Sequence, residues 1–139
     1  MLTEKDYCDY ETCVALREIG CRIETEWYIH QPSYERGSCY LCFGIPRETS
    51  VLDECDYIPR LSLYEAQKWL REKKGIHIAP RIYLYHDINL DEQTSWECTI
   101  YVEWSAIYTI GKSLTYEDAL LLGVKEAVKI LKENETIHK

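Results

Sequence analysis

The fold is decided by residues 62–85, which read SLYEAQKWLREKKGIHIAPRIYLY. The first half has the period of a helix. Ser62 and Glu65 form a predicted capping box, in which each side chain accepts a hydrogen bond from the backbone N–H of the other residue. Apolar residues then recur at helical spacing as far as Gly75, a residue type that commonly ends helices. After this glycine the period changes to two, which predicts a half-buried strand to Tyr85.

The same two periods predict the other elements. Helices are expected over residues 9–20 and from residue 115 to about residue 134. Strands are expected over residues 22–30, 39–43 and 96–104. Residues 106–110 are either a bent continuation of the last strand or a separate strand. The apolar residues of segment 44–60 recur at neither helical nor strand spacing, and the segment contains two prolines. We therefore interpret it as a surface loop.

The predicted order of elements is α-β-β-α-β-β(-β)-α, within a single domain over residues 1–139. A doubly wound parallel sheet would need a helix after nearly every strand, and that pattern is absent. Hairpins that alternate with helices instead favour an antiparallel sheet with helices packed on one face. The predicted fold class is therefore α+β.

Composition and charge exclude several functions. The 139 residues include 16 Lys and Arg against 24 Asp and Glu, a formal charge of -8, which disfavours a nucleic-acid partner. No run approaches 18 uncharged apolar residues, so no membrane-spanning helix or membrane partner is expected. The first six residues lack the features of a signal peptide, and we expect a cytoplasmic protein. The aromatic residues are unusual: 12 Tyr and 4 Trp against one Phe.

Seven cysteines, an odd number, indicate reduced thiols that behave as small buried hydrophobes. The spacing of Cys39 and Cys42 can chelate zinc from a tight turn, usually with a second cysteine pair. No second close pair exists, and residues i and i+3 of a strand face opposite sides of the sheet. We therefore predict no metal and no cofactor, and keep these two cysteines as weak metal candidates.

A polar face of the predicted hairpin is the main candidate for binding. The residues expected on this face as partner-binding candidates are His77, Arg81, Tyr83, Tyr85, Tyr101 and Glu103. Tyrosine and arginine in a polar surround are typical of protein interfaces. The alternative is an ordinary exposed sheet face, because tyrosine and threonine are good strand formers. His77 beside Glu103 can also act as a general base, although a solvated cross-strand charge pair is the simpler interpretation.

Three motifs carry a resemblance to a known group of proteins. They are Tyr57-Ile58-Pro59, Ser62-x-x-Glu65-Ala66-x-x-Trp69-Leu70-Arg71 and Ile76-His77-Ile78-x-Pro80. In these motifs the chain resembles a family of small uncharacterised proteins of phages and gut-bacterial mobile elements. Residues 11–20 and 115–119 resemble the first and last helices of that family. The family has no assigned activity or catalytic residues, so the resemblance implies an intracellular accessory protein and no site.

The sequence thus favours a small, non-catalytic accessory protein that acts by protein–protein contact or by self-association. The rival hypothesis is a metal-binding protein or a small enzyme. Such a protein would use either the pair Cys39 and Cys42 or His77 with Glu103. No catalytic residue is predicted.

Overall fold

The computed structural model describes residues 2–30, 40–45, 57–86, 92–103, 105–113 and 115–137. Within these ranges a short 3-10 turn precedes three α-helices and two antiparallel sheets of three strands each. In chain order the elements are the 3-10 turn Glu4–Asp6, α1 Tyr10–Glu18, β1 Trp27–His30, β2 Tyr40–Phe43, β3 Tyr57–Pro59, α2 Leu63–Lys74, β4 Ile76–His86, β5 Glu92–Val102, β6 Ser105–Ser113 and α3 Tyr116–Ile137. The predicted α+β class is confirmed.

Local capping explains where the first two helices begin and end. The Asp9 carboxylate accepts a hydrogen bond of 2.9 Å from the backbone N–H of Thr12 at the start of α1. At the start of α2, the predicted capping box forms: Ser62 and Glu65 exchange two hydrogen bonds of 3.1 Å. The left-handed backbone of Gly75, with φ of 67°, ends this helix. Both predicted helices are therefore confirmed.

The first sheet has the strand order β2-β1-β3 and corrects two sequence predictions. The interpretation of residues 44–60 as a surface loop is wrong at Tyr57–Pro59, which pairs with β1 and buries Ile58. A three-residue strand is too short to show a period, and its partner lies far away in sequence. The predicted strand over residues 22–30 begins only at Trp27.

The second sheet has the order β4-β5-β6, so the described strands form two sheets where one was predicted. Its last strand, β6, pairs with β5. Residues 106–110 therefore belong to a separate strand and are not a bent continuation of β5. Pro80, which cannot donate to a ladder, lies on β4 at the edge of the sheet, as expected for proline.

The helices and both sheets share one hydrophobic cluster. Helix α3 packs across the second sheet, whose inner face contributes the buried side chains of Ile76, Ile78, Cys98 and Ile100. Helix α1 and the inner face of the first sheet extend the same cluster through Leu16, Ile29 and Ile58. Among the described residues, no helix combines the length and hydrophobicity needed to cross a membrane.

Candidate functional site

A cleft of about 400 Å³ lies where the N-terminal segment meets the first turns of α1 and α3; we call it the N-terminal cleft. Apolar side chains from β1, β2 and α3 line it together with Tyr7 of the N-terminal segment and Tyr10, the first residue of α1. The charged residues that line it are Glu4, Lys5, Asp9, Arg60, Glu117 and Asp118. Four of these six charges are negative, so the cleft repeats the acidic balance of the whole chain.

Arg60 is the structural anchor of this cleft. Its side chain is only 12% exposed, and its guanidinium lies 3.8 Å from the centroid of the Tyr7 ring, a cation–π contact. The same guanidinium donates a hydrogen bond of 2.5 Å to Glu4. The backbone N–H of Cys8 donates to the carbonyl oxygen of Leu61 over 2.9 Å. These contacts attach the N-terminal segment to the residues just before α2 and shape one wall.

We call the four acidic residues that line the cleft the acidic rim: Glu4, Asp9, Glu117 and Asp118. They differ in whether they form ion pairs. The Lys125 ammonium forms an ion pair with the Asp9 carboxylate, with 2.7 Å between Nζ and Oδ2. Burial raises the pKa of the Asp9 carboxyl, but the hydrogen bonds from Lys125 and from Thr12 outweigh it and hold this pKa below its usual 3.8. Glu117 and Asp118 lie in the first turn of α3 and form no ion pair with any described residue.

Three large apolar side chains lie exposed beside the cleft. Trp27, Leu41 and Phe43 share one face of the β1–β2 pair and are 42%, 49% and 72% exposed; we call them the apolar lip. The rings of Trp27 and Phe43 meet edge to face, with centroids 5.4 Å apart. Because Leu41 also lines the N-terminal cleft, the apolar lip and the acidic rim form one continuous surface.

The sequence-predicted polar face lies on the second sheet, away from this cleft. In the pairing of β4 with β5, His77 lies opposite Tyr101 and Arg81 lies opposite Glu97. Arg81 and Glu97 form an ion pair, with 3.6 Å between Nε and Oε2. Arg81 is 69% exposed. Tyr83 and Tyr85 continue the same strand, with backbones paired to Ser95 and Gln93.

Glu103, the proposed partner of His77, lies beyond the end of β5. Its φ of 51° places it in the left-handed region, in the short connection to β6. The register therefore brings Tyr101, and not Glu103, directly opposite His77.

Of the five cysteines that the structure describes, four lie in the core. Cys8, Cys13, Cys21 and Cys98 are buried and free, whereas Cys42 is half-buried on β2 and also free. The neighbouring Cys13 side chain, together with burial, raises the pKa of the Cys8 thiol. Burial raises the pKa of Cys98 to about 11. Cys39, the other weak metal candidate, lies outside the described residues, and the described residues contain no cluster of three or more metal-ligating side chains.

The site residues that sequence reasoning missed are Leu41, Phe43 and Arg60. The chain's only Phe, at the end of a predicted strand and next to the predicted loop 44–60, was the one available signal for an exposed aromatic residue. Arg60 carried no signal, because its ring partner Tyr7 is far away in sequence. Comparison of the chain with models of protein families, with curated proteins and with solved structures yields no match.

Proposed function

We propose that the protein is a non-catalytic binding protein that holds a basic and partly apolar segment of a partner protein. The basic side chains of that segment lie along the acidic rim of the N-terminal cleft, and its apolar side chains cover the apolar lip. The observation that carries this proposal is the continuity of Trp27, Leu41 and Phe43 with the acidic cleft.

The apolar lip favours a protein partner. Contiguous exposed apolar side chains are typical of interaction sites, whereas single exposed ones are ordinary. Phe43, at 72% exposed, is the most exposed large hydrophobic residue on the described surface. Moving a large apolar side chain from full exposure to full burial contributes about 1.5–3 kcal/mol, and Phe43 has most of this contribution still to gain. Tryptophan, the residue type of Trp27, is also enriched among the residues that dominate binding energy.

The charge of the rim favours a basic partner over a second copy of the chain. Glu117 and Asp118 have no ionic partner among the described residues, so a cation placed in the cleft gains attraction without breaking an existing pair. Two copies of a chain with formal charge -8 repel each other at long range. A basic segment is instead attracted, and its association rate falls as salt rises.

The test uses a synthetic amphipathic helix of lysine and leucine, fluorescently labelled and followed by anisotropy. We expect Phe43→Ser to weaken its binding at least about tenfold. The matched control is Ile82→Ser, which removes another half-exposed apolar side chain from the second sheet. Asp118→Asn should reduce the salt dependence of binding. A lysine–serine peptide and a glutamate–leucine peptide should each bind more weakly than the lysine–leucine peptide.

Three outcomes contradict this proposal. Equal losses for Phe43→Ser and Ile82→Ser mean that the peptide adheres to the protein without using the lip. A loss confined to Arg81→Ser and Tyr101→Ser moves the interface to the face predicted from sequence. A dimer in sedimentation velocity that Phe43→Ser dissociates identifies a second copy as the occupant.

A further inference from the structure

A second cleft, at the opposite end of α1, carries the opposite charge. It has a volume of about 450 Å³, and we call it the Trp69 cleft. It is lined by Ile19, Gly20, Arg22, Ile23, Trp69, Lys73 and Lys74. All three charged residues in this set are cations, although acidic residues outnumber basic ones 24 to 16 in the chain.

The cations of this cleft are not neutralised. The ion pairs formed among the described residues are Arg60–Glu4, Arg81–Glu97, Lys125–Asp9 and Lys132–Glu18, all outside the cleft. One terminal nitrogen of Arg22 donates to the carbonyl oxygens of Arg17 and Cys21, over 2.6 and 3.3 Å. This contact attaches the guanidinium to the end of α1 and leaves its other N–H groups without an acceptor among the described residues.

The two lysines also lack an anionic partner within the described part of the chain. The ammonium of Lys74 lies 5.6 Å from the centroid of the Trp69 ring, and no carboxylate approaches that of Lys73. The carbonyl ends of α1 and α2 meet here, and cations at helix C-termini are stabilised by the helix dipoles. The dipoles explain why three cations can lie close together, and the like charges still leave a net positive site.

A phosphate group matches this charge better than a carboxylate does. A phosphate monoester carries about -1.5 to -2 charges near neutral pH and offers three acceptor oxygens, one for each cationic side chain. Charge-assisted hydrogen bonds of this kind are roughly twice as strong as neutral ones. The volume of about 450 Å³ exceeds what a bare phosphate ion fills, and the remaining lining of Ile19, Ile23 and Trp69 is apolar.

We propose that the Trp69 cleft binds a phosphate monoester with an apolar or aromatic body. Arg22, Lys73 and Lys74 hold the phosphate, and Ile19, Ile23 and Trp69 hold the body. The same chemistry is offered by a free metabolite and by a phosphorylated tyrosine side chain. This site is separate from the N-terminal cleft, and neither proposal depends on the other.

The test is an NMR titration of the ¹⁵N-labelled protein with phenyl phosphate, in which the Trp69 indole signal is assigned with Trp69→Phe. We expect this signal to shift with a dissociation constant of about 1 mM or tighter, given the size of the probe. Inorganic phosphate, phenol and benzoate should each bind at least about fivefold more weakly. The double variant Lys73→Gln/Lys74→Gln should weaken phenyl phosphate about tenfold or more. The matched control, Lys68→Gln on the exposed side of the same helix, should leave binding unchanged.

An unchanged Trp69 signal at 10 mM phenyl phosphate refutes the site and means that the cations only complement the helix ends. Benzoate binding as tightly as phenyl phosphate refutes the assignment to phosphate, and inorganic phosphate binding as tightly refutes the role of the apolar lining. Equal weakening by Lys68→Gln refutes the assigned residues. A phosphotyrosine peptide that binds more tightly than phenyl phosphate supports a protein source, and weaker binding supports a free metabolite.

Discussion

Gly123 sets the distance between α3 and the second sheet, and replacing it with alanine should destabilise the protein. A Cβ atom at this position would lie 2.5 Å from Cys98 Sγ and 2.5 Å from Ile78 Cγ2. Non-bonded carbon atoms pack at an optimal separation of about 3.5–4.0 Å. The helix or the two side chains would therefore have to move to relieve both contacts. Cys98 and Ile78 are 1% and 5% exposed, and a closely packed interior leaves buried side chains little room to move.

The magnitude follows from two opposing effects. In an exposed helix interior, Gly123→Ala would stabilise by about 1 kcal/mol, because alanine has the higher helix propensity. Forcing extra atoms into a packed core costs about 1–3 kcal/mol, and two contacts this short place the cost near the upper end. We therefore expect a net destabilisation of about 2 kcal/mol. With a urea m-value of about 2 kcal/mol/M, the midpoint falls by about 1 M.

The assay is urea unfolding followed by circular dichroism, in a double-mutant cycle with Cys98→Ala. That second substitution removes one of the two clashing atoms, so Gly123→Ala should cost about half as much in its presence. Lys129→Ala, at an exposed position of the same helix, is the control and should change the midpoint little. A Gly123→Ala midpoint equal to or above that of the wild type would refute the packing argument.

Two further predictions concern a strained residue and a titrating one. Glu103→Asn should raise the free energy of unfolding by about 0.5–1 kcal/mol, because asparagine tolerates the left-handed backbone that glutamate adopts here at φ of 51°; an unchanged urea midpoint contradicts this strain. Asp9 has a lowered pKa in the folded state, so its charge stabilises the protein above about pH 4, and this contribution disappears as the pH falls through the folded pKa. Asp9→Asn retains a capping residue and should be less stable than the wild type by about 0.5 kcal/mol at pH 6, and this difference should shrink as the pH is lowered below 3.8, measured by urea unfolding.

Those parts of the fold that depend on neighbouring residues could be predicted from the sequence. The capping box of Ser62 and Glu65, the terminating Gly75 and the switch to period two are all local signals, and the structure contains each of them. The division into two sheets was not predictable in this way. It depends on which strands pair, and the period of a strand does not reveal its partner; the pairing of the three-residue β3 with β1, for example, joins segments far apart in sequence.

The candidate site was harder to predict for the same reason. The N-terminal cleft combines residues 4–10, Leu41, Arg60 and the first turns of α3, which no sequence window contains together. The predicted face of β4 and β5 was accessible to sequence reasoning because one hairpin register determines it. The apolar lip was not, because Leu41 and Phe43 share the face of the β1–β2 pair that buries Ile29, and no sequence pattern separates the exposed apolar residues of that face from the buried one.

The two clefts lie at the two ends of α1, and the helix termini that meet at each cleft favour opposite signs of charge. Asp9 caps its N-terminus at the acidic cleft, whereas Arg22 binds the carbonyl oxygens at its C-terminus in the cationic cleft. Nine residues of helix separate these ends by about 14 Å, more than a Debye length at physiological salt. Each cleft therefore keeps its own electrostatic preference despite the net charge of -8. A basic peptide and a phosphate monoester should accordingly bind together without competing, and mutual exclusion in a combined titration would show that one surface serves both ligands.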